Sequence, residues 1–224
     1  NAMGAVLRHQ EGLRRPFATL PAYAVLVELS TTLPANAIDL EEVLGERLSA
    51  HVGAAEDSIS DVLMGDAEDY WRIRHRISES LRNDGEMLAF DVSVPRSLLP
   101  EFTARVVALL ARDYSFVRLC DYGHWGDGGR HLNLLWQVGD VADSDGLKSE
   151  LQDKIYAIAV REFAGSYSAE HGVGPHNQRF YDRYADPRFK RLSAVIVAFC
   201  DPQNRLCTVS LLFGFLLRGG GGWG

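Results

Sequence analysis

The chain has 224 residues, 46% of them hydrophobic, enough to bury a full core as one domain or at most two small ones. Its 30 acidic residues outnumber its 23 basic ones, and the formal charge of −7 is spread along the sequence, which excludes the basic footprint of a nucleic-acid partner. The longest apolar run, Val209 to Leu217, falls far short of the ~20 residues of a membrane-spanning helix, so no membrane span is expected.

Asn1-Ala2-Met3 has the look of residues left by a protease ahead of a cloned start, so 1–20 is read as that scar plus an extended lead-in, and the whole as a piece of a longer protein. The main domain is expected over 21–208. Tyr23 to Ser30 (YAVLVELS) predicts a strand, and Asn36 or Asp39 can cap a helix from Ile38 to His51. Ser58 to Met64 predicts a second strand. Asp66 opens a helix with an acidic first turn that runs to about Asn83. Met87 to Val94 alternates as a strand stopped by Pro95, and Ser97 caps a helix over Leu98 to Asp113. The strands Phe116 to Tyr122 and His131 to Val138 flank Gly126-Asp127-Gly128-Gly129, a strong turn signal, and form an antiparallel hairpin. Helices follow at Leu147 to Phe163, Asn177 to Tyr184 and Pro187 to Phe199; the tail 209–224 is left unassigned. This order predicts an α+β fold, a ferredoxin-like antiparallel sheet covered by helices, with room for a duplicated strand-helix-strand unit.

Cys120, Cys200 and Cys207 are odd in number and lack CxxC spacing, which argues against a disulfide framework or a zinc ribbon and for reduced thiols in a cytoplasmic compartment. The chemistry lies elsewhere. YGHWGDGGRHLN (Tyr122 to Asn133) and SAEHGVG (Ser168 to Gly174) supply His124, His131, Glu170 and His171. Imidazole and carboxylate donors suit a borderline or hard divalent ion, and a site with three protein ligands keeps a position open for substrate. The hairpin sets His124 at the end of one strand and His131 at the start of its neighbour. Glu170 and His171 are adjacent and would point to opposite sides of an extended segment, but Gly172 and Gly174 allow a turn that aims both into one cavity. The bland alternative is a pair of surface histidines and a polar loop. Arg74 and Ser78, four apart on one predicted helix, can together bind a carboxylate. Alternatively Arg72, Arg74 and Arg76 form a solvated face paired with Glu68, Asp69 and Glu79.

The order GHxGDGxxHxN then SAEHGxG, together with WRIRHRISESLRNDGEMLAFDVSVP (Trp71 to Pro95), resembles the C-terminal substrate domain of FAD-linked oxidases of 2-hydroxy acids, the group of D-lactate dehydrogenase, glycolate oxidase and D-2-hydroxyglutarate dehydrogenase. The resemblance implies a divalent metal, zinc first, on His124, His131 and Glu170. It makes His171 the base, Arg74, Ser78 and Asn133 substrate-binding residues, and Asp127 a shaper of the turn. It also implies FAD held by an N-terminal flavin domain, a small 2-hydroxy acid oxidised to a 2-oxo acid, and a fragment inactive alone. The departures matter too. Ala89 stands where hydroxyglutarate enzymes carry a lysine for the distal carboxylate, which points to a monocarboxylate or bulkier substrate. Pro175-His176-Asn177 replaces basic residues, and Cys207-Thr208-Val209 replaces an NPG-like ending. Two rivals from other classes are a non-catalytic metal-binding or interaction module without a flavin partner, and a metal-dependent hydrolase with His171 as base.

Overall fold

The computed structural model describes residues 1–34, 36–53, 59–65, 67–203 and 205, and they fall into two compact units that meet in sequence at Asp84 and Gly85. The first unit contains α1 (Ala2–His9), α2 (Leu40–Ser49), α3 (Ala67–His75) and α4 (Ile77–Arg82). The expected lead-in is therefore partly helical. Ala5 and Val6 of α1 are buried with Ile73, Ile77 and Leu81 of α3 and α4, and this apolar contact rewards a helix that weak periodicity did not signal. Arg8, in the last turn of α1, closes it with an ion pair to Asp84 at 2.5 Å, and the Nε2 of His9 lies 2.5 Å from the other oxygen of the same carboxylate. Asp39 caps α2 as its side chain accepts the N–H groups of Glu41 and Glu42.

Three expectations in this unit are corrected. Tyr23–Ser30 carries no strand and stays exposed, with Val25 at 80%. Of Ser58 to Met64, Ser58 lies outside the described residues, and Ile59 makes only an isolated bridge to Val52. Apolar alternation marks a segment suited to a sheet, but a strand also needs a neighbour to pair its N–H and C=O groups. The single helix expected over 66–83 is parted into α3 and α4 at Arg76, whose φ of −92° and ψ of 1° fall in the bridge region.

The second unit follows the forecast closely. β1 (Glu86–Ser93), α5 (Leu99–Asp113), β2 (Arg118–His124), β3 (Gly129–Trp136) and α6 (Ser144–Ala157) form an antiparallel sheet in the order β1-β3-β2, with α5 crossing from β1 to β2 and α6 following β3. These are the first five elements of the βαββαβ unit. Strand alternation divides the sheet into two faces. Leu88, Phe90, Val92, Leu132, Leu134 and Trp136 meet Phe102, Val106 and Leu109 of α5 and Leu151 and Ile155 of α6 in one core. Each such side chain contributes roughly 1.5–3 kcal/mol by leaving water. The opposite face carries Ala89 and Asp91 of β1, His131 and Asn133 of β3, and Cys120 and Tyr122 of β2, in rows fixed by the register Asp91–His131–Tyr122 and Ala89–Asn133–Cys120.

A π-helical turn (Ile158–Glu162) ends α6, and Ala164, at φ 51°, turns the chain back toward β1. Where a βαββαβ unit would place its last strand, one bridge forms between Ser93 and Ser166. The described residues hold this one sheet, so the suspected duplication has no second copy among them. α7 (Gly174–Tyr184) packs Phe180 edge-on to Tyr156 at 4.4 Å between ring centroids, and α8 (Pro187–Cys200) follows with no buried residue. Among the described residues no helix is long and apolar enough to cross a membrane; the tail from 206 lies outside them.

Candidate metal and substrate site

The site is built on the β2–β3 hairpin. Asp127 shapes its turn as expected: the carboxylate accepts the N–H of Gly129 at 2.8 Å, and the Asp127 N–H donates to the His124 carbonyl. Gly128 sits at φ +87°, and a Cβ there would stand 2.3 Å from the Val94 carbonyl oxygen, so only glycine lets the turn lie against the end of β1. His131 projects from the start of β3 with Asp91 of β1 and Tyr122 of β2 as its cross-strand neighbours.

The loop 168–171 reaches the same place from the far side of β1. The N–H groups of Ala169, Glu170 and His171 donate to one oxygen, Asp91 Oδ2, at 3.0, 2.9 and 2.9 Å. Curling around that oxygen overrides the extended geometry that would separate Glu170 from His171. Gly172, at φ +69°, continues the turn. The rings of His131 and His171 stack at 5.9 Å with 23° between planes. Their Nδ1 atoms lie 3.8 and 3.7 Å from the Asp91 carboxylate, and their Nε2 atoms 3.3 and 3.6 Å from Glu170 Oε1. Two imidazoles thus stand side by side between two carboxylates.

The structure brings together His131, Glu170 and His171 of the predicted residues. The ring of His124 stands edge-on to that of His131, 6.0 Å away. Among the described residues the group whose donor atoms all lie within 4.8 Å of one another is Asp91, Glu170 and His171. Asp91 escaped the sequence reading. Its signal was an acid on the strand FDVSV, two residues after Ala89 and so on the same face, but only the β1–β3 register sets it opposite His131. Asn133 is 2% exposed and donates its amide to the carbonyls of Cys120 and His131, each at 3.3 Å, bracing the backbone beside His131. Arg74 and Ser78 belong to the other unit, on α3 and α4 respectively, so the break at Arg76 separates two residues expected on one helix.

The donors suit a divalent ion: two imidazoles, two carboxylates, and a buried oxygen, Asp91 Oδ1, without a hydrogen-bond partner. Burial is the strongest single influence on Asp91 and resists its ionisation. The N–H groups of His171 and Glu170, with the two imidazoles, outweigh it and hold the carboxyl below its ordinary range. A negative charge is kept where Asp91 is only 7% exposed.

Residues 1–208 match the family described as FAD linked oxidases, C-terminal domain. The chain belongs to that family. It is 30% identical over 209 residues to a protein of Arabidopsis thaliana named D-2-hydroxyglutarate dehydrogenase, mitochondrial, covering 92% of this chain and 35% of that protein. A D-2-hydroxyglutarate dehydrogenase of Xanthomonas citri pv. viticola is 33% identical over 178 residues, with 77% of this chain and 36% of that protein covered. A D-lactate dehydrogenase of Anaerostipes hadrus is 28% identical over 180 residues, 78% of this chain and 37% of that protein. The chain spans about a third of the length of these relatives. As an FAD-linked oxidase C-terminal domain, it carries the GHxGDGxxHxN hairpin and the SAEHGxG loop at one end of one sheet.

Proposed function

We propose that this domain binds the substrate of a flavin-dependent 2-hydroxy-acid dehydrogenase and orients it for oxidation to the 2-oxo acid. The observation that carries this reading is the pair of stacked imidazoles, His131 and His171, held between Asp91 and Glu170 on the face of the sheet opposite the core. His131 and Glu170, with His124 beside them, are the residues to hold a divalent ion, zinc first. When bound, that ion would supply Lewis-acid polarisation of the substrate hydroxyl, and a flavin held outside this sequence would supply the acceptor for two electrons.

His171 has its side chain 66% exposed, so it can meet a substrate that His131, at 14%, cannot reach as freely. It accepts the hydroxyl proton at one ring nitrogen, a task that suits an imidazole, and Asp91 stabilises the imidazolium so formed. Asn133 holds the strand rigid under His131. Ala89 lies directly opposite Asn133, exposed and uncharged, and offers no cation to a second carboxylate. That favours a monocarboxylate, or a hydroxy acid with a bulkier uncharged end, over hydroxyglutarate.

The test is anaerobic flavin bleaching by the protein of the full-length reading frame, with D-lactate, longer monocarboxylates and D-2-hydroxyglutarate as substrates. Bleaching by monocarboxylates ahead of hydroxyglutarate is the expected result. If no 2-hydroxy acid reduces the flavin, the dehydrogenase reading fails and the interaction-module reading replaces it.

A further inference from the structure

We infer that Asp91 is the positioning residue of this cluster: its carboxylate fixes the ring proton of His131 on Nδ1, so that the Nε2 lone pair faces Glu170. The inference rests on the metal-site reading of His131 and adds to it the residue that presets its ring.

The two oxygens of Asp91 have separate tasks. Oδ2 accepts three consecutive backbone N–H groups, from Ala169 to His171, and so sets where Glu170 and His171 enter the cluster. Oδ1 is buried, has no hydrogen-bond partner and lies 3.8 Å from His131 Nδ1. A carboxylate only accepts hydrogen bonds, so it favours a ring hydrogen on the nitrogen that faces it and opposes a lone pair there. Glu170 competes for that hydrogen at the other end of the ring, and at 3.3 Å it is the nearer carboxylate. Burial decides between them. The side chain of Glu170 is 55% exposed and its charge is answered by water, whereas that of Asp91 is 7% exposed and Oδ1 has no other donor. The Nδ1 hydrogen of His131 goes to Asp91, and its Nε2 lone pair is left to meet an ion beside Glu170. This is the arrangement in which an outer carboxylate sets the tautomer and raises the basicity of a ligating imidazole.

The experiment uses the 224-residue chain, labelled with 15N, and reads the histidine tautomers by long-range 1H–15N correlation in the metal-free protein. In parallel, competition with a chromogenic chelator measures zinc affinity for the wild type, for Asp91→Asn, and for a His124→Ala, His131→Ala double variant. The amide oxygen of Asp91→Asn still accepts the loop N–H groups, but its NH2 cannot take a ring hydrogen. The expected results are an Nδ1–H tautomer for His131 in the wild type, a shift toward Nε2–H in Asp91→Asn, and zinc binding weakened by roughly 10- to 100-fold. An Nε2–H tautomer of His131 in the wild type overturns the inference, even if the variant fails to fold. So does an Asp91→Asn chain with unchanged tautomers and zinc affinity within about twofold of the wild type, against the weakening an orienting partner should cause. Zinc binding no tighter in the wild type than in the double variant instead overturns the metal reading beneath it, and the tautomers then judge Asp91 alone.

Discussion

Gly123 lies where β2 runs too close to β3 for a side chain. A Cβ at this position would meet the Gly129 carbonyl oxygen at 2.3 Å and the Arg130 Cα at 2.9 Å, both backbone atoms with no room to yield. Gly123→Ala is expected to destabilise the chain by about 3 kcal/mol, the upper range of overpacking, in chemical denaturation. Gly126→Ala, three residues on with nothing within 4 Å of its Cβ, should stay within about 0.5 kcal/mol. Both glycines belong to one motif, so the sequence alone could not rank them. The same limit applied to the site. His131, Glu170 and His171 announced themselves by side-chain type and by glycines that license a turn. Asp91 did not, because an acid on an alternating strand is ordinarily a solvent-facing residue. Only pairing with β3 turns it into the neighbour of an imidazole.

Among the elements, α6 supplies a titration that the chain should feel as a whole. Tyr156 is 3% exposed, and burial first, then the negative charge of Asp91, pushes its phenol up to about 12 from 10.0. The folded state therefore favours the neutral ring. This contribution is complete below pH 10 and is lost as pH rises from there to about 12, a change of about 3 kcal/mol. Denaturant midpoints measured across that interval should fall more steeply for the wild type than for Tyr156→Phe. Equal slopes would show that the phenol titrates alike in both states. Helix α5 was legible from its apolar row, Phe102, Val106, Leu109 and Leu110 on one face behind Pro100, but not from the expected cap: Ser97 lies in a 3-10 turn (Arg96–Leu98), and no side chain caps the helix. The hairpin was legible from its turn. Tyr23–Ser30 misled because its β-branched alternation describes what a sheet would accept, while pairing depends on residues far away in sequence. α1 was hidden for the opposite reason: a short helix with modest periodicity is stabilised by what it packs on.

At the scale of the whole molecule, the outer edge of β1 closes the account of the fold. Ser93 and Ser166 exchange hydrogen bonds at 3.2 and 2.8 Å, and Ala169 donates to the Asp91 carbonyl at 3.2 Å, so the segment that delivers Glu170 and His171 also occupies the free side of a strand. Gly165 makes this approach possible, since a Cβ there would stand 2.2 Å from the Ser93 carbonyl oxygen. Gly165→Ala should force the segment away and leave β1 with open N–H and C=O groups, a template for another chain. Sedimentation at rising protein concentration should then detect association that the wild type does not show; a monodisperse variant would mean that the edge is protected by other means. Ligand presentation and resistance to aggregation are thus two duties of the same few residues. A chain that fails to assemble its binding loop exposes an unpaired strand, so damage to the site and loss of solubility should arrive together.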